Sequence, residues 1–133
     1  MTLAFASNAA KAYGEVGRRS EIEGASPHRL IEMLLAAAGK NMRLAREAII
    51  QNQREKKGMA LGKCIDILGE LNLSLNGDGG GEIAENLSAL YEYMQSQLVS
   101  VNRDGNIDTL DQVISLLDDL HSTWIKIKPT GVE

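Results

Sequence analysis

The sequence predicts an all-α protein, an antiparallel up-down four-helix bundle with a short N-terminal arm. Three observations carry this reading. Proline, the strongest helix breaker, occurs twice in 133 residues, at Pro27 and Pro129 near the two ends. Apolar residues recur three and four apart through four long segments, the spacing that puts them on one face of a helix. Polar or glycine-rich interruptions at 51–57, 76–81 and 102–106 separate those segments, and short connections between long helices make neighbours antiparallel.

Residues 1–24 read as the arm. Gly14, Gly17 and Gly24 interrupt it, while Leu3, Phe5, Tyr13 and Val16 give it apolar members that can dock on a groove. The bundle spans 25–128, and 129–133 form a tail. The first helix starts at Ser26-Pro27. Ser26 can accept from an orphan backbone N–H, and Pro27 suits the first helical position. Its stripe is read as Leu30, Met33, Leu34, Ala37, Ala38, Met42, Ala45 and Ile49. The second helix covers about Arg54 to Leu75, with Leu61, Cys64, Ile65, Leu68, Leu71 and Leu75 on its stripe and Ile67 and Leu73 off it.

The run Asn76-Gly77-Asp78-Gly79-Gly80-Gly81 is the clearest break, with four glycines in six residues. The third helix follows from about Glu82, with a stripe of Ile83, Leu87, Leu90, Met94, Leu98 and Val101. The fourth runs from about Ile107 to Ile127. Ile107, Leu110, Ile114, Leu117, His121 and Trp124 mark one face, and Val113, Leu116, Leu120 and Ile127 broaden it.

Charge and composition exclude several classes. Residues 1–57 hold ten Lys/Arg and six Asp/Glu, a net of +4, and residues 58–133 hold four and twelve, a net of −8. The mildly basic half alternates in sign, which argues against nucleic acid as a partner and for oppositely charged helices packed side by side. No apolar run approaches the ~20 residues of a membrane span, and the N-terminus lacks the pattern of a signal peptide. One cysteine, Cys64, cannot form an internal disulfide, and a reducing cytoplasm is the expected compartment.

Little in the chain suggests chemistry. Two histidines are too few for a metal bundle with paired Glu-x-x-His motifs, and only Asp118-x-x-His121 comes near one. No metal and no cofactor are expected. His28, directly after Pro27, reads as an exposed residue beside the cap rather than a phosphotransfer site. Cys64, on an apolar stripe with no adjacent base, reads as structural. The glycine tract lacks the Lys-Ser/Thr ending of a phosphate loop. No nucleophile, base and orienting group assemble, so the chain is read as no enzyme. Tyr91 and Tyr93 stand two apart on one helix, so one of them must face outward.

The residues also carry a resemblance. Tyr13, Ala25-Ser26-Pro27-His28-Arg29-Leu30-Ile31 with Met33-Leu34, the stretch Gly62 to Leu71, Gly80-Gly81-Glu82 through Tyr91-Glu92-Tyr93-Met94, and Leu116-Leu117-Asp118-Asp119-Leu120 with Trp124 resemble, in order and spacing, the flagellar secretion chaperone family, FliS. The likeness spans about residues 12 to 127. Where the family often has Tyr-Glu-Gly-Ala, this chain has Leu35-Ala36-Ala37-Ala38, and Cys64 stands where alanine is common.

The resemblance implies a cytoplasmic chaperone that binds the C-terminal segment of flagellin. It would prevent premature polymerisation and keep its client competent for the export gate of the flagellar type III apparatus, with no membrane insertion. An amphipathic client needs an apolar groove. Its expected walls are Ile65, Ile67, Leu68, Leu73, Val113, Leu116 and Leu120, with Tyr91 and Tyr93 as aromatic anchors. Tyr13 and its neighbours are expected to cover that surface in the free protein. Two other classes fit the residues without the resemblance: a phosphotransfer module using His28, and a bundle that assembles with itself through its surplus apolar surface.

Overall fold

A computed structural model describes residues 26–75 and 77–126; the arm, the tail and Ile127 lie outside these. The described residues form four helices and no strand: α1 (Pro27–Ile50), α2 (Arg54–Leu73), α3 (Gly77–Asp104) and α4 (Ile107–Lys126). Each is packed against its neighbours in sequence, and α4 returns to α1, which closes a four-membered ring. The α3–α4 contact is the sparsest of the four.

The helix ends follow their local chemistry. Ser26 caps α1, its hydroxyl accepting from the Arg29 N–H at 3.0 Å, with Pro27 in the first turn. The turn between α1 and α2 is tight and uses Asn52 at φ 59°, a left-handed conformation that asparagine tolerates. Gly81, at φ 56° and ψ −135°, breaks the helical path inside α3, so the long regular part begins at Glu82 as expected, but residues 77–80, read as part of a flexible connection, are themselves helical. The α3–α4 turn reverses at Gly105, φ 67°, whose N–H donates to the Val101 carbonyl at 2.7 Å. Asn106 Oδ1 then accepts from the Thr109 N–H at 3.1 Å and caps α4. The second helix ends at Leu73 rather than Leu75.

The core is one cluster drawn from all four helices. On α2 and α3 it follows the predicted stripes closely, with Leu61, Cys64, Leu68 and Leu71 facing Leu87, Met94, Leu98 and Val101. On α1 the stripe is rotated. Ile31, Leu35, Ala38, Met42 and Ala45 are fully buried, while Met33 is 49 % exposed and Leu30 and Leu34 are only partly covered. Apolar side chains fill both lines of α1, so periodicity alone does not choose between them; the positions of α2 and α4 do. On α4 the same rotation brings Val113 into the core with Leu110, Leu117 and Trp124, and leaves Ile114 at its edge.

Cross-helix contacts fix the direction of α1 against α4. His28 meets Trp124, Arg43 meets Asp118 and Arg46 meets Asp111, so numbers rise on one helix as they fall on the other. The basic side of α1 thus lies along the acidic side of α4, the packing expected from the charge asymmetry. Arg46 holds Asp111 with two nitrogens, at 2.6 and 3.2 Å. The hydrogen bond from Arg46 lowers the Asp111 carboxyl below its ordinary value.

Cys64 Sγ lies against the Ala38 carbonyl at 3.6 Å, and burial pushes its thiol up to about 12. A neutral thiol is a poor nucleophile. A thiol reagent at pH 8 should therefore label Cys64 slowly in the native protein and fully in denaturant; rapid native labelling would contradict the burial. The Asp111 shift has a sign that acid titration can check. Its folded-state pKa is depressed, so the pair stabilises above the unfolded aspartate value of about 3.9 and is lost as pH falls through the folded one. The urea midpoint should fall on acidification below about pH 5, and Asp111→Asn should flatten part of that acid limb.

Candidate functional site

Nothing among the described residues assembles a reactive centre. No three His, Cys, Asp or Glu side chains stand close enough to hold a metal. His28 is half-buried rather than exposed beside the cap. Its ring stacks on Trp124 at 5.1 Å between centroids and 12° between planes. Nε2 donates to the Trp124 carbonyl at 2.8 Å, and the indole N–H donates back to the His28 carbonyl at 2.9 Å. Both polar edges are engaged in tying α1 to α4, which leaves this histidine a structural clasp. His121, half-buried on α4, has an Nε2 with no hydrogen-bond partner among the described residues.

What the molecule offers instead is apolar surface along its seams. The expected groove residues separate into three groups. Leu68, Tyr91 and Val113 are 0 %, 1 % and 1 % exposed and belong to the core, where they present no side-chain surface to a partner. Their helices are wider in apolar residues than the core needs, and the sequence does not say which flank turns inward. Ile65 and Ile67 are partly buried on different flanks of α2. The Ile65 carbonyl accepts from Gln95 Nε2 at 3.0 Å, at the α2–α3 seam. Ile67 continues the line of Ala60 and Lys63, which face α1. Leu73 is 88 % exposed at the end of α2, and Tyr13 lies outside the described residues.

Tyr93, Leu116 and Leu120 lie on the neighbouring flanks of α3 and α4. Asp111 and Asp118, seven apart on α4, reach α1, so Leu116, two residues from Asp118, sits on the flank toward α3 with Leu120. Gln95 faces α2, and Tyr93, two residues away and thus about 160° round the helix, faces outward on the α4 side. Tyr93 and Leu116 are exposed, and Leu90 and Leu120 are partly buried against the core. This α3–α4 seam is also the least tightly packed. It is an apolar surface with an aromatic edge.

The profile of the family described as Flagellar protein FliS matches residues 9–131. The chain belongs to the FliS family. Its relatives include "Flagellar secretion chaperone FliSB" of Pseudomonas aeruginosa, 38 % identical over 120 residues that cover 90 % of this chain and 95 % of the relative. "Flagellar secretion chaperone FliS" of Salmonella typhimurium is 37 % identical, covering 94 % and 93 %. The Vibrio cholerae protein of the same name is 35 % identical, covering 90 % and 88 %. FliS is a family of chaperones, not of enzymes. None of their helices is long and apolar enough to cross a membrane.

Sequence reasoning missed several exposed apolar residues, among them Met33, Leu44, Met59, Val99 and Ile125. The signal was present for Met33, which lies on the second apolar line of α1. The two tyrosines give a direct check of the site. Tyr91→Ala should cost about 3–5 kcal/mol in a urea titration, as for a buried aromatic truncation, while Tyr93→Ala should stay within about 0.5 kcal/mol. Equal costs would mean that the burial of the two residues is misassigned.

Proposed function

We propose that this protein binds the C-terminal segment of flagellin in the cytoplasm, blocks its premature polymerisation and presents it to the export gate of the flagellar type III apparatus. The observation that carries this is the exposed apolar seam of Tyr93, Leu116 and Leu120 on a bundle of the FliS family. An amphipathic segment laid along that seam buries apolar area at about 25 cal/mol per Å². A disordered client loses several kcal/mol of that gain in becoming ordered, so the contact must be long and run beyond these three residues. Tyr93, rigid and half-exposed, is the anchor of the kind that dominates such contacts.

The arm supplies the regulation in this reading. Tyr13 and the other apolar residues of 1–24 cover the seam in the free protein and leave it when the client arrives. Such a cover limits self-association through an exposed apolar patch.

Calorimetric titration with a C-terminal flagellin peptide tests the proposal. The expected result is a saturable 1:1 isotherm with a strongly negative heat-capacity change. Leu116→Asp should weaken binding by about tenfold or more, as for loss of an anchoring contact. No heat and no co-elution, with both components soluble and folded protein in the cell, would sink the client assignment. Deleting residues 1–16 should change client affinity or promote self-association; neither effect would remove the cover.

A further inference from the structure

A second groove runs between α1 and α2, on a different side of the bundle from the α3–α4 seam. Its cavity is ≈ 360 Å³ and its floor includes Leu44, Met59 and Ala60. Leu44 is 53 % and Met59 63 % exposed, so two apolar side chains stand open across the groove from each other. On α1, Met33 and Ala37 lie eleven residues, about three turns, before Leu44 and Ala48 and so share their side of the helix. The groove is lined from Asn41 to Gln51 and from Gln53 to Lys63, a trough between two helices of the kind that accepts a third.

Its rim is basic. Lys56 and Lys63 line it, both exposed, and neither makes an ion pair among the described residues. Arg54 and Lys57, on the first turn of α2, line a separate cavity with Asn102 and Arg103. On the groove itself Lys56 and Lys63 stand against a single carboxylate, in a chain whose net charge is −4. Glu47 also lines the groove, and the Gln51 side-chain amide donates to it, which softens the one opposing charge. The basic residues of α1 that face α4 are already paired with Asp111 and Asp118. Two lysines without an ion pair among the described residues thus stand beside the apolar floor.

We infer that the α1–α2 groove docks an acidic amphipathic helix of a second protein, separately from the client surface. Apolar residues of that helix cover Leu44 and Met59, and its carboxylates meet Lys56 and Lys63. The acidic remainder of this chain repels the same partner elsewhere, so the field steers it to this face.

The test uses the full chain and two designed four-turn peptides with identical leucine faces, one flanked by glutamate and one by lysine. The glutamate peptide should bind about tenfold or more tightly at low salt, with the advantage shrinking as ionic strength rises. Its amide shift changes should centre on Leu44, Met59 and Lys63. Lys56→Glu with Lys63→Glu, both at exposed positions, should abolish the preference, and Met59→Asp should weaken both peptides. Saturating flagellin peptide should leave the binding unchanged. Equal affinity for the two peptides, shifts centred on Tyr93 and Leu116, or competition by flagellin would each overturn the inference. Failure of flagellin to bind would leave these readings intact, so the two proposals fail separately.

Discussion

Closing α1 against α4 is the contact on which the rest of this bundle depends. The chain connects each other pair of neighbours through a short turn, so those pairings are local and cheap in entropy. The first and last helices have no such turn and must find each other across nearly the whole domain. Three features at different heights hold them: the His28–Trp124 clasp, Arg43 with Asp118, and Arg46 with Asp111. The ion pairs are exposed and contribute little energy each. What they do supply is direction and register, because each arginine meets its own aspartate at a different height along the seam. The clasp contributes more, since it buries a large aromatic ring and satisfies polar groups at both ends.

With the ring closed, the apolar surface divides into core and seams. Each helix carries a wider apolar arc than one core face can absorb. The surplus appears beside the core rather than opposite it, at Leu90, Leu120 and Ile67 as partly covered residues and at Tyr93, Leu116, Leu44 and Met59 as exposed ones. A bundle built this way keeps a stable interior while offering grooves that a helical or folding partner completes. The α1–α4 seam is fixed by specific polar contacts, while the α3–α4 seam, the sparsest of the four, is left with room.

The two grooves differ in chemistry. The α3–α4 seam has an aromatic edge at Tyr93, suited to an apolar client. The α1–α2 groove has a rim of unpaired lysines, suited to an acidic one. A carrier that meets more than one protein can hold them apart in this way without any moving part.

Much of this was legible in the sequence. Ser26-Pro27, the glycine tract and Asn102 to Asn106 marked the helix ends, because capping and turn chemistry are local. The stripes of α2 and α3 were nearly right, since each has one dominant apolar line. The charge asymmetry foretold that oppositely charged helices pack side by side, as α1 and α4 do. What the sequence left open was rotation. On α1 and α4, neighbouring apolar lines compete, and only the neighbouring helices decide that Ile31 and Val113 turn inward while Met33 and Leu116 stay out. The same ambiguity moved Leu68, Tyr91 and Val113 from the expected groove to the core. His28 was misjudged because its partner, Trp124, is distant in sequence and near only after closure. Local capping and periodicity set which segments are helices; which face each helix buries was decided by tertiary packing, because burial is a property of the neighbours and not of the segment.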